Sequence, residues 1–132
     1  MYKQNIKDYA PITLRISISL MFLWFGINQV LDAKNFMGYL PEFILSTNNP
    51  EIYVIINGLI EILLGAALII GIFTRPVSIL LSAHLLIISI SLGYNDIMIR
   101  DMGLTLATIA IFLYGPDKWS LDTYKNKWRQ KT

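Results

Sequence analysis

Residues Asn57–Pro76 read NGLIEILLGAALIIGIFTRP. From Gly58 to Phe73 the residues are apolar or small, with one exception, the carboxylate of Glu61. An α-helix rises about 1.5 Å per residue, so about 20 such residues cross a hydrocarbon core ~30 Å thick. With Ile52–Ile56 in front of it, this run is long enough to span a bilayer. A charge near the middle of such a span costs roughly 2.5–3.5 kcal/mol on insertion scales. Glu61 has too short a stem to reach the headgroups, so it needs a partner or a proton.

Three more apolar runs flank this one, Ile12–Leu31, Val77–Leu92 and Ile97–Tyr114. The 132-residue chain is 55% hydrophobic and 15% charged, with a mean hydropathy of +0.53. Soluble domains average about 25% charged residues. The runs do not alternate as barrel strands do. The first is too long for the apolar part of a signal peptide, and no small-residue cleavage site follows it. The fold class predicted is all-α: an integral membrane bundle of four helices at about 12–31, 52–73, 76–93 and 97–115, forming one domain over 1–132. Thr74-Arg75-Pro76 and Gly93–Asp96 are the short connections, which force antiparallel neighbours in an up-down-up-down order.

The first loop, DAKNFMGYLPEFILSTNNP (32–50), is longer. Phe36, Tyr39, Leu40, Phe43 and Ile44 recur there at helical spacing, interrupted by Pro41. A short amphipathic helix on the outer face is expected, as an interfacial anchor or, in the sharper reading, a lid over an outward-facing pocket. The tail, 117–132, places Leu121, Tyr124 and Trp128 on one face with cations between them, which predicts a second amphipathic helix serving as an interfacial anchor.

Lysine and arginine set the expected orientation. Lys3, Lys7, Arg15, Arg75, Lys118, Lys125, Lys127, Arg129 and Lys131 fall on one side, Lys34 and Arg100 on the other. This bias puts both termini in the cytoplasm and the protein in the cell membrane as a multi-pass chain. The lipid bilayer is the partner the composition implies; nothing points to nucleic acid. With no cysteine and one histidine, thiolate chemistry, iron–sulfur clusters, covalent haem and histidine-rich metal sites are not expected. No cofactor motif is recognisable, so neither a metal nor an electron carrier is assigned.

Helical rise puts Glu61 ~13 Å below the outer edge of the second run and His84 ~12 Å above the inner edge of the third, nearly the same depth. The two can meet. Asn57 lies one turn before Glu61 on the same face. On the first run Arg15, Ser19, Phe22, Gly26 and Gln29 share a face. Asn28, Gln29, Asn57, Arg100 and Asp101 gather in the outer third, whereas Arg15 sits alone near the inner edge and is read as snorkelling to the headgroups. Arg100 can snorkel outward or pair with Asp96. These eight, Glu61, His84, Arg100, Asp101, Asn57, Asn28, Gln29 and Arg15, are the candidate ligand-binding or proton-handling residues.

The blocks LRISISLMFLWFGINQVLD, NGLIEILLGAALIIGIFTRP, YNDIMIRDMGLTLATIAIFL and GPDKWSLD resemble, in order, the DoxX family of small four-helix membrane proteins. The family includes the membrane subunit of a thiosulfate:quinone oxidoreductase, and the resemblance implies a redox-associated role with a quinone as candidate cofactor. Many members carry a lysine three residues after the glycine of the first helix. Here Gln29 follows Gly26 at that step, which weakens the implication of an anionic substrate.

Three readings stand. In the first the chain is a redox-associated subunit that binds a quinone or similar lipid-soluble molecule, and any catalysis would need a redox partner protein. Alternatively it is a passage for a small molecule, anion or proton, which would require a homo-oligomer. In the third reading it is a non-catalytic membrane scaffold whose polar residues fix the packing.

Overall fold

The computed structural model describes residues 5–131. Lys3 and Thr132, which belong to the orientation and tail readings above, lie outside them. After a 3₁₀ turn at Ile6–Asp8 come α1 (Tyr9–Leu31), a 3₁₀ stretch (Ala33–Tyr39), the single-turn α2 (Glu42–Leu45), α3 (Glu51–Ile70), α4 (Thr74–Ser91), α5 (Asp96–Tyr114) and α6 (Leu121–Arg129). Among the described residues, helices α1, α3, α4 and α5 are the four long and apolar enough to cross a membrane.

Local signals explain the ends. Pro11 and Pro76 lie in first turns, where a missing N–H costs nothing. Gly71 ends α3 at φ 79°, with its N–H on the Ala67 carbonyl at 3.0 Å, a left-handed cap that glycine adopts without strain. The second span therefore stops three residues before the expected 73. Thr74-Arg75-Pro76 is the first turn of α4, not the connection, which is Gly71–Phe73. Asn95 caps α5 by accepting from the Met98 N–H at 2.8 Å.

The bundle is built as two tight pairs, α1 against α3 and α4 against α5, joined by sparser α1–α5 and α3–α4 contacts. Between the pairs lies a small core that includes Ile18, Phe22, Leu68, Leu81, Leu85 and Ile111. The polarity is inverted relative to a soluble protein. Leu63, Leu106 and Leu113 face outward with 67–71% of their surface exposed, an arrangement stable only under lipid. Inside, Ser19, Ser78, Ser82, Ser89, Thr105 and Thr108 are buried, each donating to the carbonyl four residues earlier. Small hydroxyl residues let helices approach closely, and back-bonding satisfies the hydroxyl.

At the end that carries both termini, the tail is locked to the bundle. Phe73 sits in the left-handed region at φ 48°, a conformation that costs a β-carbon-bearing residue ~1–2 kcal/mol. Its side chain cannot cap α4; Asp122 does so instead, accepting from the Phe73 N–H (3.0 Å), the Thr74 N–H (2.7 Å) and the Thr74 hydroxyl (2.9 Å). Gly71 must be glycine on a second ground, since a β-carbon there would stand 2.6 Å from that of Ser120. The tail helix is shorter than expected, and Tyr124 and Trp128 remain exposed at 59% and 62%.

Gly103 is a contrasting case: it lies mid-helix in α5 with nothing within 4 Å of where a β-carbon would stand. Gly103→Ala is expected to raise stability by about 0.5–1 kcal/mol, the helix-interior difference between the two residues. Thermal unfolding in detergent measures it; a loss would mean this surface is occupied.

Candidate functional site

Glu61 is the centre of the site, and the α1–α3 crossing puts it there. Gly26 and Gly58 abut so closely that a β-carbon on either would lie 2.6–2.7 Å from the other's carbonyl oxygen. This approach brings Gln29 of α1 onto Glu61 of α3: the Gln29 amide donates to Oε2 at 2.9 Å. Asn57 donates to Glu61 Oε1 at 3.1 Å and to Gln29 Oε1 at 2.7 Å, closing a ring of three side chains. From the other helix pair, His84 Nε2 meets Glu61 Oε1 at 3.3 Å. The carboxylate thus has partners for both oxygens, the condition for keeping it at 4% exposure inside a membrane span. His84, with 21% of its side chain exposed, is the more accessible end of the pair.

The cluster forms part of the wall of a cavity of about 380 Å³ between the two helix pairs. Sites for small organic molecules run from roughly 300 to 1,000 Å³. Most of the wall is apolar, with Phe22, Phe25, Leu85 and Leu104 among its residues. Ile56 and Ile60 of α3 and Ile87 of α4 also line it while 41–65% exposed. The cavity therefore opens sideways between α3 and α4, whose contacts are sparse, onto the surface that lipid covers.

Towards the end opposite the termini, the 32–50 loop closes over it. The expected amphipathic helix is broken in two, because Pro41 withholds an N–H and fixes its own φ. Most of its apolar side chains nevertheless turn inward: Phe36, Tyr39, Leu40, Pro41 and Ile44 line the cavity half-buried, with Phe43 at the rim, 73% exposed. An aromatic chain links loop to wall, Phe25 to Phe36 (6.4 Å) and Phe36 to Tyr39 (5.9 Å between centroids). Arg100 lies 5.5 Å from the centre of the Phe25 ring, with the Tyr39 hydroxyl as a polar neighbour. Its ion pair is with the adjacent Asp101, at 2.8–2.9 Å, and not with Asp96.

Six of the eight candidates thus face one cavity: Glu61, His84, Asn57, Gln29, Arg100 and Asp101. Two do not. Asn28 turns back to donate to the Trp24 carbonyl at 2.7 Å. Arg15 is 2% exposed and does not snorkel. Its guanidinium is paired with Asp117 and donates to the α3 carbonyls of Leu68 (2.8 Å) and Ile69 (2.6 Å). Those carbonyls are among the last four of the helix, which have no regular intrahelical donor. The Leu68 carbonyl also accepts from the Gly71 N–H at 3.1 Å, and a buried cation there supports helix end and carboxylate together. Asp117 and Asp122 escaped notice in the sequence; the block GPDKWSLD is the signal that contains both.

Between Arg15 and the cluster stand Ile18, Phe22, Leu68 and Leu81, all buried. The ladder of titratable groups is interrupted by this plug. A passage through one chain would have to break it.

Fold and cavity together define a small multi-pass membrane protein with a polar cluster inside its helical bundle. The DoxX family model matches residues 10–93, and the chain belongs to that family. The match covers α1, the loop, α3 and α4, and ends before Arg100, Asp101 and the tail. No curated protein and no solved structure matches the chain.

Proposed function

We propose that this protein binds a quinone or a similar neutral, lipid-soluble molecule with its polar head against Glu61 and His84, as part of a redox system. One observation carries this reading: a hydrogen-bonded carboxylate–imidazole pair faces an apolar cavity that opens to lipid. A quinone, when bound, would supply two-electron, two-proton chemistry. The chain's own residues hold and orient the head group. Gln29 keeps a second amide N–H, beyond the one that bonds Glu61, as a donor to a carbonyl oxygen, whereas both Asn57 N–H groups are engaged by Gln29 and Glu61. His84 Nδ1, the ring nitrogen not turned to Glu61, donates or accepts according to tautomer, and the Glu61 carboxylate accepts from a hydroxyl. His84 and Glu61 can pass a proton between ring nitrogen and carboxylate across their shared contact. Phe22 and Phe25 supply the apolar wall.

Charge supports a neutral ligand over an anion. Arg100 is paired with Asp101, and Glu61 has only amides and one imidazole around it. Among the described residues no surplus cation faces the cavity, and Gln29 stands where the family resemblance implies a lysine. With no electron-carrier motif in the sequence, electrons come from a partner protein.

Mass spectrometry of an organic extract from protein purified gently out of its membrane tests the reading, wild type beside Glu61→Gln. The expected result is near-stoichiometric quinone in wild type. A loss of about ten-fold or more is expected in the variant, since a hydrogen bond to a charged group contributes roughly 1.5–3 kcal/mol. Quinone no more abundant than bulk lipid predicts, in both samples, would overturn it.

A further inference from the structure

A second cavity, of about 730 Å³, lies at the end that carries the termini, between the Gly71–Phe73 connection and α6. Arg75, Lys125 and Arg129 line it, and so do the aromatic rings of Phe73, Tyr124 and Trp128. We infer that this cleft is a binding site for the phosphate head group of an anionic phospholipid.

Three features support this occupant. First, the cleft's acidic residue is already engaged: both Asp122 oxygens accept from the start of α4, which leaves Arg75 and Lys125 to face outward. Arg75 and Lys125 are exposed, and no ion pair joins either to a carboxylate among the described residues. Second, the aromatic rings are placed as a membrane interface requires. Phe73 is 67% exposed and Trp128 62%, and Tyr124 and Trp128 lie against each other with centroids 6.3 Å apart. Amphipathic rings of this kind sit at headgroup level, beside acyl chains. Third, the site is rigid. Asp122 and the Gly71–Ser120 contact clamp α6 to the bundle, and the Arg75 guanidinium packs over Gly115, whose β-carbon would meet it at 2.7 Å. Free phosphate would match the cations but leave the rings in water; a lipid engages both.

The test uses the full chain in neutral detergent, titrated with phosphatidylglycerol or phosphatidylcholine and read by native mass spectrometry. Each cation near an anionic surface is worth a factor of about five. Arg75→Gln/Lys125→Gln is therefore expected to lose phosphatidylglycerol roughly twenty-five-fold, and Lys125→Gln alone, which disturbs no packing, about five-fold. Lys127→Gln/Lys131→Gln, the same change in charge outside the cleft, is expected to retain it. Equal retention of the two lipids by wild type would overturn the inference, as would equal loss in both double variants. Displacement of the lipid by millimolar inorganic phosphate would identify a free-anion site instead and also overturn it.

Discussion

Asp117→Ala is expected to destabilise the fold by about 3–5 kcal/mol, the range for removing one partner of a buried ion pair. Arg15 and Asp117 are each about 2% exposed, so the guanidinium left behind has neither water nor counter-ion. The consequences extend beyond the pair. Arg15 also holds the Leu68 and Ile69 carbonyls of α3, and Asp117 Oδ1 accepts from the Trp119 N–H at 2.9 Å, a bond that alanine loses, whereas the Ser120 and Thr123 hydroxyls bond the backbone carbonyl of Asp117 and keep it. Thermal unfolding in detergent is the measurement. Arg15→Met/Asp117→Ala should recover part of the loss, because no unpaired charge remains, but not all of it, because the Leu68 and Ile69 carbonyls lose the guanidinium and Leu68 keeps only the Gly71 N–H. A cost below about 1 kcal/mol for Asp117→Ala would be that of a solvated surface pair and would return Arg15 to the headgroups.

That pair also marks where the sequence stops being legible. Apolar length locates four spans because bilayer thickness is one number that every span must meet. Helical rise puts Glu61 and His84 at one depth because rise is regular, and the two do meet at 3.3 Å. Arg15 looks like a snorkelling cation because its partner lies 102 residues away, in a tail that composition alone describes as amphipathic. Gln29 is a candidate on position, but its bond to Glu61 depends on how closely α1 and α3 approach. Pro41 is visible as an interruption; that Phe36, Tyr39 and Ile44 still fold over the cavity is set by tertiary packing. Connections shift by a few residues for a local reason, the left-handed turn at Gly71 and Phe73.

Gly58→Ala is expected to abolish the site without replacing any of its polar residues. The added methyl would stand 2.7 Å from the Gly26 carbonyl oxygen and 2.9 Å from Gln29 Cβ, closer than nonbonded atoms tolerate. The first obstacle is backbone, which no rotamer change can relieve, so α1 and α3 must separate. Overpacking of this kind costs about 1–3 kcal/mol, and here the upper end is expected. Separation stretches the Gln29–Glu61 contact of 2.9 Å first, then leaves Glu61 short of a donor at a depth where water cannot substitute. On the proposed quinone reading, bound quinone per chain should fall as far as in Glu61→Gln, and the unfolding temperature should be lower in addition. Gly65→Ala is the internal comparison on the same helix face. Its β-carbon would meet the side chains of Leu23 and Phe22 at 3.3 Å, which can give by a few tenths of an ångström, so both losses should be small. If Gly58→Ala matched Gly65→Ala in stability and ligand content, the glycine crossing would not be what holds the cluster together, and Asn57, bonded to both Gln29 and Glu61, would be the residue to replace next.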